Sequence, residues 1–308
     1  MPFYVLTAQH CHQPTVERVE RLTGSHFQTM CYIIPFMNKS LFRRHIALPQ
    51  DHGSWVFLFS PLAIGLFTGK VFTPTSIAVI IGSVAAFLLR QPVTIAVKVQ
   101  AGRRSRAELP AALLWMTLYS LAGLLALIGL LWLGFGFILI LAAPALVVFA
   151  WHLLLVSRRA ERGQVLVEIL ATGVLALAAP AAYWAAVSQY DPMGWWLWGL
   201  AWLQSAASII YIYLRLEQRG WTSTPALRDR FKAGSNALSF AAFNLLLSLA
   251  LAVLGLLPGL VFVPYLLQGC ETLWGAANPA VGAKPVAIGV RQLIVSILFT
   301  ILFIFVWR

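Results

Sequence analysis

Residues 85–106 read AAFLLRQPVTIAVKVQAGRRSR. An apolar run carries Arg90, then Pro92, then Lys98, and leaves as the basic cluster Arg103, Arg104 and Arg106. An arginine inside a membrane span costs roughly 2.5–3.5 kcal/mol on insertion scales, so it needs a snorkelling route, an acidic partner or a bound anion. Which of the three Arg90 has is the question around which the rest of the chain is read.

The surroundings of that stretch are a membrane. Hydrophobic residues make up 60% of the 308-residue chain and charged residues only 10%, against roughly half and a quarter in soluble domains. The apolar residues fall in runs of about 20, the length that crosses a hydrocarbon core of roughly 30 Å. Solid apolar blocks, without period-two alternation, exclude a transmembrane β-barrel. The fold class is therefore all-α, a multi-pass transmembrane helical bundle.

Nine spans are expected, at about 55–72, 75–99, 111–133, 137–156, 164–187, 195–216, 236–256, 260–274 and 286–307. The second runs its full length unless Pro92 ends or bends it, and Pro180 is expected to kink the fifth, since a proline removes one helical hydrogen bond. Residues 1–47 are polar and weakly patterned, and are expected to form a poorly ordered cytoplasmic arm ahead of a 48–308 membrane domain. No signal peptide is read there, because Glu17, Arg18, Glu20 and Arg21 precede a short apolar piece at 31–37. Met30 and Met37 offer alternative starts.

The charge is lopsided, with 22 Lys and Arg against 10 Asp and Glu, formally +12. In a soluble protein this would suggest nucleic acid. Here the positive-inside rule accounts for it, and no soluble basic domain exists to bind nucleic acid. The basic residues gather in the N-terminal arm and in alternate loops: after the second span (Lys98, Arg103, Arg104, Arg106), after the fourth (Arg158, Arg159, Arg162), after the sixth (Arg215, Arg219, Arg228, Arg230, Lys232) and after the eighth (Lys284, Arg291), while the other loops hold only Lys70. That places the N terminus in the cytoplasm and the C terminus outside. Arg90 and Arg103 recur as Arg215 and Arg228 at the same separation, as a parallel repeat of spans one to four and five to eight would give.

Candidate site residues follow from the cost of charge in lipid. Arg90, Gln91, Lys98, Arg103, Arg215 and Arg219 are ligand-binding candidates at one cytoplasmic mouth. Guanidinium groups hold phosphate or carboxylate through a planar fork without a metal. Glu168, about one turn inside span five, is a catalytic or proton-carrying candidate, with Arg90 or Arg215 as its expected partner. His52 is the second catalytic candidate, having an ordinary pKa near neutrality. Glu271 is expected to pair with Arg291 or Lys284, and His152 to be a packing residue. Trp195, Trp196, Trp198 and Trp202 read as an interfacial belt. Gln204, Ser205 and Asn244 stand as scattered polar residues in the outer halves. Three dispersed cysteines give no disulfide framework, and His10-Cys11-His12 has no second ligand pair, so no metal or cofactor is expected.

From about residue 47 onward the chain resembles the YwiC-like family of bacterial membrane proteins. The resemblance is carried by His52-Gly53-Ser54-Trp55, Arg90-Gln91-Pro92, Glu168 with Ala178-Ala179-Pro180-Ala181-Ala182-Tyr183, and Ile288-Gly289. The family's opening motif has Ala where this chain has Ser54. More distantly, the nine spans and residues 165–183 resemble the UbiA-type intramembrane prenyltransferases. That resemblance implies aspartate-rich motifs binding magnesium diphosphate at the cytoplasmic ends of spans two and six. This chain has RQPVTIAVK and YLRLEQR there. Glu217 alone cannot satisfy a hard divalent cation, so magnesium-dependent prenyl transfer is not expected.

The function expected from these residues is binding of an anionic, lipid-tailed or isoprenoid-like ligand in a basic cavity facing the cytoplasm, with membrane lipids as partners. The alternatives are a small-molecule transporter, for which Glu168, Arg90 and Pro180 would form a charge-lined path, and an atypical prenyltransferase. A structural membrane protein without a small ligand is a further alternative.

Overall fold

A computed structural model describes residues 44–49, 53–159 and 164–307. Among the described residues there are only helices, turns and bends. The helices are α1 (Arg44–Ala47), α2 (Ser54–Thr68), α3 (Pro74–Gln100), α4 (Leu109–Trp132), α5 (Ala142–Ser157), α6 (Val165–Ala176), α7 (Ala178–Val187), α8 (Met193–Arg219), α9 (Leu227–Ala233), α10 (Ser235–Val253), α11 (Val263–Ala277) and α12 (Pro285–Trp307). Short 3-10 turns precede α4 and α5. Seven helical segments, with α6 and α7 taken together, are long and apolar enough to cross a membrane. Helices α2 and α11 have 15 residues each, about 22 Å of rise, and are shorter than a full crossing.

Local chemistry sets the helix ends. Thr73 and Ser76 form a reciprocal capping box with Pro74 at the first turn of α3, satisfying backbone N–H groups that have no helical partner. The first span stops at Thr68, earlier than expected, where Lys70 takes a left-handed φ of 66°. Pro92 does not end α3, which runs unbroken to Gln100. Pro180 does interrupt span five, as expected. Its ring would clash with the carbonyl four residues back, that of Ala176, and the helix is broken at Leu177 between α6 and α7. Leu177 N–H turns to Val174 O, so Gly173 O loses its ordinary helical donor. Trp198 Nε1 donates to it instead at 2.9 Å.

Successive apolar helices reverse direction. In the α3–α4 hairpin Gly82 faces Ala126 and Ala85 faces Gly123, an antiparallel register. Helix α2 runs parallel to α7, with Gly65 against Ala179 and Ala182, and Gly69 against Ala186. Helix α8 runs parallel to α11 and antiparallel to α12: Gln204 meets both Gln268 and Ser296, and Ser208 meets Gln292. Two apolar cores follow. One, around Leu58, Phe87, Leu130 and Trp184, joins α2–α4 to α7; the other, around Leu197, Tyr265, Phe299 and Phe303, joins α8, α11 and α12.

The expected disordered arm lies outside the described residues apart from its last few. Of these, Arg44–Ala47 form α1 with Ile46 and Ala47 buried. Gln91 Nε2 donates to His45 O at 3.0 Å and Tyr119 Oη to Ala47 O at 3.0 Å, fastening α1 to α3 and α4.

Candidate functional site

An elongated cavity of about 460 Å³ lies among α3, α4, α5 and α6. Small residues open it: Gly82, Ala86, Gly123, Ala142, Ala145 and Ala171 line its walls where larger side chains would fill the space. Val79, Leu130, Ile138 and Leu141 make one end apolar. Arg90 and His152 line the other end. From Val79 to Arg90 along α3 the slot extends about 16 Å at the helical rise. Ser83, Arg90 and His152 are its polar side chains among the described residues. His152, expected to be a packing residue, is thus brought to the same cavity end as Arg90.

The other ligand-binding candidates are placed differently. Gln91 is turned to α1. Lys98 sits in the last turn of α3. Arg103 Nη1 donates to Val156 O at 2.6 Å, at the C-terminal end of α5. Arg215, 7% exposed, donates from Nη1 to Gly275 O at 2.8 Å, Asn278 O at 2.7 Å and Gln218 Oε1 at 2.9 Å. Arg230 Nη1 donates to Ala277 O at 2.9 Å, and Arg219 Nε to Ala283 O at 3.0 Å. Exposed carbonyls at a helix C terminus carry partial negative charge, so cations stabilise them. Arg103, in the loop after α3, caps α5, and Arg215 of α8 with Arg230 of α9 caps α11. The spacing of Arg90 and Arg103 against Arg215 and Arg228 does not predict these contacts, since Arg215 closes α11 whereas its counterpart Arg90 lines the cavity.

Glu168 is exposed, and Tyr213 Oη donates to its Oε1 at 2.9 Å. Arg215 is turned instead to α11, and neither Glu168 nor Arg215 lines the cavity at Arg90. The partner described for Glu168 is thus Tyr213, where Arg90 or Arg215 was expected. A residue's position along its span fixes its depth but not its azimuth. His52 lies outside the described residues.

A second polar region, which sequence reasoning missed, joins α8, α11 and α12. Arg291 forks onto Glu271, Nε to Oε1 at 2.6 Å and Nη2 to Oε2 at 2.8 Å, the pairing expected of Glu271. Tyr211 Oη donates to the same Oε1 at 2.7 Å, and the Arg291 guanidinium lies 3.5 Å from the Trp274 ring centroid. Deeper in the bundle Gln204, Ser208, Gln268, Gln292 and Ser296 are buried together. The available signal was spacing: Gln204, Ser208, Tyr211 and Arg215 share one face of α8, and Gln292, Ser296 and Thr300 one face of α12.

The belt tryptophans are used to bind helices to one another. Trp198 and Trp202 of α8 donate to Gly173 O and Ile169 O of α6.

Long apolar helices, a lipid-facing exterior rich in exposed Leu, Ile, Val and Phe, and buried polar groups confined to the interior define a multi-pass α-helical membrane protein. Within it, residues 48–183 match the YwiC-like protein family. The match contains every residue that lines the cavity, from Leu58 to Ala178. It ends before Ile288-Gly289 and before the polar region of α8, α11 and α12. No curated protein and no solved structure matches the chain.

Proposed function

We propose that the protein binds an amphipathic molecule with an anionic head and an apolar tail, in the cavity between α3, α4, α5 and α6. The single observation that carries this is the placement of Arg90 at one end of an otherwise apolar slot of about 460 Å³, within the range of about 300–1,000 Å³ typical of ligand sites. Arg90 and His152 hold the head, a phosphate or carboxylate, and the tail lies along Val79, Leu130, Ile138 and Leu141. A guanidinium needs no metal to bind such a head. The basic loops orient the bundle with the N terminus inside and the C terminus outside a bacterial inner membrane, so the charged end of the slot faces the cytoplasm.

Mass spectrometry of lipids retained by the purified protein tests this reading. Enrichment of an anionic lipid or isoprenoid phosphate over the bulk membrane is expected, reduced about tenfold in Arg90→Ala. Bulk phospholipid in membrane proportions, unchanged by Arg90→Ala, overturns it. The transporter alternative draws on Glu168, Arg90 and Pro180, and solute flux into proteoliposomes separates the two.

A further inference from the structure

The first turns of α12 border an open groove of about 750 Å³, with Glu271 of α11 on its other side. Val286, Val290 and Ile294 line it. Spaced four residues apart, they form one row along the helix, and they are 75%, 49% and 53% exposed. The row continues beyond the groove as Leu298, Ile301 and Phe305, all exposed. Lys284 lines the groove at the start of the helix, and Arg291 lines it about 10 Å further along by the helical rise. An arginine that deep in a span has a cost to recover.

Charge selects the occupant. Three donors already converge on the Glu271 carboxylate, two from Arg291 and one from Tyr211. Arg291 spends Nε and Nη2 on that fork, and the Trp274 ring supports its guanidinium from one face. These contacts fix the direction of Nη1, which has no acceptor among the described residues and keeps its two donors. Among the same residues nothing engages the exposed Lys284 ammonium. Lys284 and Arg291 against Glu271 leave the groove one positive charge in excess. A phosphate suits that end through charge-assisted hydrogen bonds. A headgroup ammonium does not, since it would sit beside two cations and a carboxylate already engaged. The exposed apolar row that leads away from the charged end suits an acyl chain.

We infer that this groove is a binding site for a phospholipid with a net-negative headgroup. Its phosphodiester lies between the Lys284 ammonium and Arg291 Nη1, and one acyl chain follows Val290, Ile294 and Leu298. Basic pockets beside membrane helices hold anionic head groups in this way. The groove shares no lining residue with the Arg90 slot and does not rest on the proposal made for it.

Native mass spectrometry of the delipidated full-length protein tests the inference, with phosphatidylglycerol and phosphatidylethanolamine of identical acyl chains as probes. Phosphatidylglycerol is expected to bind about fivefold more tightly, the effect of one basic residue at a membrane surface. Lys284→Gln removes the charge and Val290→Trp fills the groove, both at exposed positions. Each is expected to abolish the preference, and Arg90→Ala to leave it intact. Equal affinity of the wild-type protein for the two lipids overturns the inference. So does a preference that survives in either groove variant, or one that is lost in Arg90→Ala and so belongs to the slot. Displacement of the bound lipid by inorganic phosphate marks a site for soluble anions and overturns it too.

Discussion

Arg90 and Arg215 show how little a residue's type says about its task. Both are arginines in the later part of a long apolar helix, and both are costly in lipid. Arg215 is discharged against carbonyls at the end of α11, whereas Arg90 lines a cavity. Their replacements therefore differ. Arg215→Ala strands buried carbonyls and is expected to destabilise the fold by about 3 kcal/mol, read as a lowered unfolding midpoint of the detergent-solubilised protein. Arg219→Ala, at an exposed carbonyl contact, leaves that midpoint essentially unchanged, and Arg90→Ala is expected to act on retained lipid. The sequence singled out all three alike, because spacing records depth in the membrane and not which neighbour a side chain meets.

Among elements, the packing of α2 on α7 depends on close approach. A Cβ on Gly65 would collide with the carbonyl oxygen of Ala179, and one on Gly69 with the Ala186 methyl. Small residues at such a crossing let backbones touch, the main source of helix association where lipid removes the hydrophobic drive. Gly65→Val is expected to cost about 1–3 kcal/mol by overpacking, whereas Gly129→Val, with open space around its Cβ position, does not; thermal unfolding of the two variants side by side checks this. The interruption at Leu177 offers a second test. Trp198→Phe keeps the ring but removes the donor to Gly173 O, and should lower stability by about 1 kcal/mol. Pro180 made that interruption legible in the sequence, while its consequence, a carbonyl adopted by an indole 25 residues away, was not.

At the scale of the whole molecule, the alternation of helix directions agrees with the distribution of charge. Arg103, Arg215 and Arg230 all sit at the ends of the bundle where α5 and α11 finish. With these ends in the cytoplasm, a periplasm-dependent phosphatase fused after Trp307 is expected to be active, and one fused in the 220–226 loop inactive. The opposite pattern reverses the topology and puts the charged end of the Arg90 slot outside.

The sequence by itself determined the helical membrane class, the approximate limits of the apolar helices, the YwiC-like segment and the residues too costly to be idle in lipid. These are one-dimensional properties: hydropathy, length and charge accumulate along the chain. Only the tertiary structure decided that Arg90 shares a cavity end with His152, that Arg103 and Arg215 close helix termini, and that amides from α11 and α12 meet around one turn of α8. Such groupings depend on the rotation of each helix about its axis, which is set by side-chain packing between segments far apart in the chain.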